Sequence, residues 1–302
     1  MDAKNLVSLE DLRRKDIWEL IEYSRELKRK LRDGTPTPVL KGKTLAMIFL
    51  KPSLRTRTSF EVGMTQLGGH AIYLGPDDIK LGQRETTEDI ALVLSRYVDG
   101  IMARVFGHEV IEELGRFARV PVINGLSDLL HPCQALGDLL SIYEYKRRLT
   151  DLRLAFVGDG NNVAHSLIHA SGLMGIDFAL GCPEGFEPGE RIVRRATDWG
   201  GRINIYHDPQ QAVSGADVVY TDVWASMGEE EIAGEKKSDF EGYTVDGDLL
   251  QLAEEDAIVM HCLPAHYGEE ITKEVAHGPQ SIIFDQAENR LHAQKALMGL
   301  LL

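Results

Sequence analysis

The sequence predicts an α/β protein made of two parallel-sheet domains in series, joined by helices. Its 302 residues suffice for two domains of ordinary size, each burying its own core. Short β-branched or apolar runs occur in two series with helix-length segments between them, the alternation expected of parallel strands linked by crossover helices. A helix-patterned stretch at 132–148 separates the two series. We place the first domain at residues 1–148 and the second at 149–286, and expect a final helix at 287–302 to return to the first.

The first series of strands falls at 44–50, 71–74, 100–105 and 120–123. The second runs through 152–157, 178–182, 203–206, 218–221, 257–262 and 281–284. Between them, Leu136, Leu139, Leu140 and Tyr143 repeat at helical spacing on one side of the linking segment. The closing segment carries Leu291, Leu297 and Met298 and ends in Leu300-Leu301-Leu302, a tail that needs a surface to cover it. We find no internal repeat and no low-complexity stretch.

Composition narrows the function. A formal net charge of -14 disfavours nucleic-acid binding and leaves an anionic substrate facing a repulsive average field. Any phosphate site must therefore be a local concentration of Arg, His and backbone N–H groups. Cys133, Cys182 and Cys262 are widely separated and odd in number, which suggests neither a disulfide framework nor a structural zinc. With no apolar signal core near Met1 and no stretch of membrane-spanning length, we expect a cytoplasmic protein with no membrane partner.

After the first strand comes Lys51-Pro52-Ser53-Leu54-Arg55-Thr56-Arg57, followed by Phe60, Met64 and Leu67 at helical spacing and a Gly68-Gly69 stop. A helix N-terminus presents unpaired N–H groups and a positive dipole end, so an anion fits beside Ser53, Arg55 and Thr56. The plain alternative is a Ser cap followed by solvated arginines, yet basic residues in a first turn oppose the dipole. Arg104 at the next strand end, and His131-Pro132-Cys133-Gln134 opening the linking helix, add polar groups near strand ends on one side. Singly, each reads as an ordinary cap or ion pair.

The second domain opens with Gly158-Asp159-Gly160-Asn161-Asn162-Val163, which invites a dinucleotide reading. The fingerprint needs a third glycine where Val163 stands, so we expect no nicotinamide cofactor. Asp222 ends an apolar strand and is followed by Ser226-Met227-Gly228 and three glutamates, with no cation before Glu235. That loop suits a cationic ligand, against the plain reading of a solvated acidic loop. His261-Cys262-Leu263-Pro264 ends a later strand, but neighbouring strand residues point to opposite faces, and further ligands at metal spacing are lacking. We expect neither a cysteine nucleophile nor a metal.

Taken in order, Ser53-Leu54-Arg55-Thr56-Arg57, Arg104, His131-Pro132-Cys133-Gln134, Asp222 to Gly228, His261-Cys262-Leu263-Pro264 and Glu288-Asn289-Arg290 resemble the motif set of the ornithine carbamoyltransferases. The likeness runs from about residue 5 to the C-terminus. It implies a carbamoyl-phosphate-binding first domain and an amino-acid-binding second domain. It also implies transfer of a carbamoyl group to the side-chain amine of ornithine, giving citrulline and phosphate in arginine metabolism. Ser53, Leu54, Arg55 and Thr56 would then grip the phosphate. Arg104, His131, Pro132, Cys133 and Gln134 would hold the carbamoyl end, and Arg290 would complete that site. Asn162, Asp222, Ser226 and Met227 would take ornithine, with Cys262 and Leu263 where the two substrates meet. Arg104, His131, Asp222 and Cys262 would be the catalytic set.

Two positions depart from the family pattern: Leu54 stands where Thr is usual, and Lys80 where Gln is usual. The family extends the loop around Lys80 into an adjacent subunit, where its Gln reaches carbamoyl phosphate. The resemblance thus implies that Lys80 binds carbamoyl phosphate there, adding a cation, and that the working unit is a homotrimer or a multiple of trimers. Aspartate, the substrate of the sister family, would require arginines in the 222–228 loop, so charge favours ornithine. Putrescine and acylated ornithine are the nearer rivals. A catalytically silent amino-acid-binding protein would be favoured were Arg55, Arg104 or His131 missing, and all three are present.

Overall fold

The computed structural model describes residues 1–79, 84–225 and 233–302. The chain divides into two compact units, Met1–Leu140 with Glu288–Leu302, and Ser141–Ala287. Each carries a parallel sheet with flanking helices.

The first unit runs α1 (Arg14–Arg32), β1 (Thr44–Phe49), α2 (Leu54–Gln66), β2 (His70–Leu74), α3 (Pro76–Ile79), α4 (Thr87–Leu94), β3 (Gly100–Arg104), α5 (His108–Phe117) and β4 (Val122–Leu126), then enters α6 (Pro132–Lys146). Its strands are all parallel in the order β2-β1-β3-β4. β1 and β3 are central and buried along almost their whole length, as their unbroken apolar runs require. β4 begins at Val122 rather than residue 120. Pro121 has no N–H to give to the ladder, though its carbonyl accepts from Ile101.

The second unit runs β5 (Arg153–Val157), α7 (Asn162–Met174), β6 (Asp177–Gly181), α8 (Glu190–Asp198), β7 (Arg202–Tyr206), α9 (Pro209–Val213), β8 (Val218–Thr221), α10 (Ala233–Asp239), α11 (Gly247–Leu250), β9 (Ile258–His261) and α12 (Lys273–Ala276). Its parallel order is β7-β6-β5-β8-β9. The last helix, α13 (Ile283–Leu301), begins here and continues into the first unit.

The compact units part between Leu140 and Ser141, inside α6, so a continuous helix and not a loop carries the chain toward the boundary expected at residue 148. One sequence expectation needs correction. The strand expected at 281–284 is only one bridge, Val259 to Ser281, after which Ile283 starts α13. Ile282 and Ile283 are buried either way, and a short apolar run does not by itself distinguish a strand from a helix start.

In the first unit, α13 lies close against α1 and α2. A Cβ at Gly63 would come within 2.8 Å of Met298, and one at Gly299 within 3.0 Å of the Tyr23 ring. Lys28 donates to Asn289 at 2.6 Å and Lys295 to Gln66 at 2.7 Å. The Leu302 side chain sits over Gly100.

Buried imidazoles make this fold acid-sensitive. Burial pushes His169 in α7 and His292 in α13 down from 6.5 to about 4; the charges of His165, Arg195 and Arg191 assist at His169. At His292 the Glu288 bond opposes the shift, and Lys28 and Lys295 support it. Both groups are neutral in the fold, whereas the unfolded chain takes up their protons below about 6.5. Stability is therefore present above that pH and lost as pH falls toward 4, each group costing roughly 3 kcal/mol by then. The urea midpoint is expected to drop from pH 7 to 5, and less steeply in His169→Phe. A flat midpoint over that range would refute the linkage.

Candidate active site

In an open parallel sheet, ligands bind beyond the carboxyl ends of the strands where the strand order reverses. In the first unit that point lies between β1 and β3. The loop after β1 leads into Ser53, the N-cap of α2, and Arg104 is the last residue of β3. Ser53 Oγ accepts from the Thr56 N–H at 3.3 Å and donates to Thr56 Oγ1 at 3.1 Å. Phe60, Met64 and Leu67 are fully buried and anchor this helix, and Gly68, at φ 80, closes it. α2 has no acidic residue in its first turn to compete for its amide donors and its dipole.

The site's charge is concentrated there. His131, buried just before α6, is held well below the usual histidine range, first by burial and then by the positive charges of Arg290, Arg104 and Arg55. Its imidazole is neutral at physiological pH. Arg290, reaching in from α13, donates to Thr56 Oγ1 at 3.1 Å. Gln134 Nε2 donates to the buried Asp138 carboxylate at 2.8 Å, which turns Oε1 the other way. That oxygen is a buried acceptor with no partner among the described residues. Lys51, which sequence reasoning left without a role, lies 5.9 Å from the Phe106 ring centroid, linking the loops after β1 and β3.

Two predicted residues offer main chain only. Leu54 is 79% exposed, its side chain in solvent at the first turn of α2. Cys133 is buried, its thiol donating to the Asn124 carbonyl at 3.3 Å, and burial pushes it up to about 12. It is a core residue beside the site. Pro132 opens α6 and is also buried.

In the second unit the strand order reverses between β5 and β8. Asn161, after β5, caps α7 by accepting from Val163 and Ala164, and its Nδ2 donates to Asp222 Oδ2 at 3.1 Å across the crevice. Cys262, after β9, donates its thiol to Asp222 Oδ1 at 3.0 Å. The Asp222 carboxylate is thus aimed by a neighbour on each side, and Asn162 is the first residue of α7 beside it. Sequence reasoning named Asn162 and missed Asn161, although Asn before a helix is a strong cap signal.

The glycines of this turn serve packing. A Cβ at Gly160 would stand 2.5 Å from the Pro188 nitrogen, and Val163 is buried in the core. Lys236, just beyond the cation-free stretch, pairs with Asp159 at 2.9 Å and donates to the Trp224 carbonyl at 3.4 Å. Its charge is balanced before it reaches Asp222. Lys80, Ser226 and Met227 lie outside the described residues.

Asp222, His261 and Cys262 each bring a ligand atom within 4.8 Å of the others, a grouping that could hold a metal ion. Both His261 ring nitrogens are engaged, however: Nδ1 accepts from the Leu263 N–H at 2.9 Å and Nε2 meets Glu270 at 3.1 Å. His266, Glu269 and Glu270 form a second grouping, in which Lys237 already holds Glu269 at 2.9 Å. His261 does not activate Cys262, since its ring bonds elsewhere.

Comparison with known proteins identifies the family. The carbamoyl-P binding domain of the aspartate/ornithine carbamoyltransferases matches residues 4–144, and their Asp/Orn binding domain matches residues 150–301. The ornithine carbamoyltransferase of Methanosarcina mazei is 52% identical over 98% of both chains. The anabolic ornithine carbamoyltransferase of Pyrococcus furiosus is 50% identical, over 99% of this chain and 96% of that one. Among solved structures, ornithine carbamoyltransferase from Pyrococcus furiosus superposes with a TM-score of 0.96 at 50% identity, covering 99% and 97% of the two chains. That from Thermus thermophilus gives 0.91 at 45%, covering both chains completely. End-to-end likeness in sequence and fold places this chain in the aspartate/ornithine carbamoyltransferase family.

Proposed function

We propose that the chain is an ornithine carbamoyltransferase, which moves the carbamoyl group of carbamoyl phosphate to the side-chain amine of L-ornithine and yields L-citrulline and phosphate. The choice of ornithine within the family rests on one observation: Asp222 is a carboxylate aimed by Asn161 and Cys262, while the next cation along the chain, Lys236, is paired with Asp159. An ammonium group is at home there and a second carboxylate is not.

In the first unit, Ser53, Arg55, Thr56 and the first-turn amides at Leu54 hold the phosphate. Arg104, neutral His131 and Thr56 polarise the carbamoyl oxygen, and Arg290 completes the pocket. Gln134 Oε1 accepts from the carbamoyl NH2, a match for a buried acceptor left without a partner among the described residues. In the second unit, Asn162, Asp222, Ser226 and Met227 take ornithine, with Cys262 and Leu263 beside its reacting amine.

The amine lone pair attacks the carbamoyl carbon, the bond to the phosphate oxygen breaks, and phosphate leaves with that electron pair. Fixed positive charge at the oxygen and at the leaving group supplies most of the acceleration. An alkyl ammonium with a pKa near 10.4 must lose one proton to solvent before it attacks and a second as the carbon–nitrogen bond forms, and the departing phosphate is a suitable acceptor for the second. Activity is therefore expected to rise with pH from 6 to 9. We read a cytoplasmic homotrimer, or a multiple of trimers, serving arginine biosynthesis, a direction in keeping with a relative named anabolic. Exposed apolar Leu54, Val62 and Ile72 on the first unit offer surface for a neighbouring subunit.

Purified protein given carbamoyl phosphate and, in parallel, ornithine, putrescine, aspartate or N-acetylornithine tests the reading. Citrulline from ornithine alone is the expected result. Preference for another amine would overturn the ornithine assignment, and no phosphate release with any acceptor would overturn the activity.

A further inference from the structure

We infer that Glu270 is a positioning residue for the ornithine end of the reaction, acting through one fixed tautomer of His261. The inference rests on the reading above that Cys262 and Leu263 stand beside the amine.

His261 ends β9 and is buried. Its own N–H donates to Gln286 Oε1 at 2.8 Å, and Gln286 Nε2 donates to the Tyr220 hydroxyl at 3.0 Å on neighbouring β8. Its Nδ1 accepts from the Leu263 N–H at 2.9 Å and so carries no proton. The ring proton is therefore on Nε2, which donates to Glu270 Oε1 at 3.1 Å. The same oxygen accepts from the His266 N–H at 2.6 Å. One fully buried carboxylate oxygen thus ties the imidazole to the far end of the 263–266 loop.

This clamp has a load to hold. Leu263 sits at φ 60, in the left-handed region that a leucine adopts only at a cost. The bond from its N–H to His261 is what the loop gains by that conformation. Cys262 lies between the two clamped residues and bonds Asp222, so the imidazole's placement sets where Cys262 and the Leu263 backbone stand. Burying a carboxylate is unfavourable without such partners, and an alternative tautomer would leave both Nδ1 and the Leu263 amide as opposed donors.

Four variants and one spectrum test this. Glu270→Ala is expected to raise the ornithine KM by about 10- to 100-fold, the effect of an unsatisfied buried donor, while the carbamoyl phosphate KM stays within about 3-fold. Glu270→Gln keeps an acceptor oxygen and is expected to stay within about 3-fold of the parent on both. His261→Asn keeps an acceptor for the Leu263 amide and is expected to be milder than His261→Gln, which reaches Glu270 but offers Leu263 nothing. Ring nitrogen-15 NMR is expected to show the Nε2–H tautomer in the parent and in Glu270→Gln.

An unchanged ornithine KM in Glu270→Ala, equal loss for both substrates, or an Nδ1–H tautomer in the parent would overturn the proposal. Should Glu270→Ala fail to fold, the order of the two His261 variants and the parent spectrum decide. A parent that does not turn over ornithine is a failure of the proposed function, seen before any variant is made.

Discussion

Arg104→Leu is expected to lower kcat/KM for carbamoyl phosphate by about a thousandfold, the upper range for loss of one preorganised donor at a developing oxyanion. The residue ends a central, buried strand, so the sheet fixes the backbone from which its side chain extends. Its charge also acts on His131, together with those of Arg290 and Arg55. Three like charges around one neutral imidazole repel one another, and an anion relieves that repulsion. Removing one of them is expected to change the melting temperature by only a few degrees and to abolish most of the stabilisation that inorganic phosphate gives the parent. His131 would rise toward the usual histidine range while burial still holds it down. Activity within tenfold of the parent would remove Arg104 from the carbamoyl site.

Asp222→Asn should act on the other substrate. The substitution preserves shape and removes the charge. It also sets an amide NH2 against either the Asn161 amide or the Cys262 thiol, both of which donate to the present carboxylate. Losing one partner of a desolvated charge pair costs about 2–5 kcal/mol, so the ornithine kcat/KM is expected to fall by between thirty- and several-thousandfold. The carbamoyl phosphate KM, set by residues of the first unit, is expected to hold within a few-fold. Parallel loss for both substrates would mean that Asp222 supports the fold and not the ligand. N-Acetylornithine, which lacks the α-ammonium, gaining on ornithine would instead mean that the carboxylate selects by charge.

Much of this protein could be read from its residues. Apolar runs of strand length, helical repeats between them and polar groups at strand ends are local signals, and they located nine parallel strands and the loops that carry most of the candidate site residues. Where a signal was short it failed: residues 281–284 satisfy both a strand and a helix start, and their neighbours decided for the helix. The crossing between the two compact units leaves no change in composition, because a continuous helix spans it.

What the sequence determined by itself was the fold class, the cationic turn at Ser53 to Arg57, the acidic character of the loop after Asp222 and the failure of the dinucleotide fingerprint at Val163. Those depend on residue type and near spacing. What only the tertiary structure decided was which side chain faces which: Arg290 meeting Thr56 across 234 positions, Asn161 aiming Asp222, Lys236 neutralised by Asp159, Cys133 turned into the core, and Glu270 holding His261. Each pairing joins residues that are brought together by strand order and helix packing, and the geometry of a hydrogen bond is set by that three-dimensional placement, which no local pattern in the chain encodes.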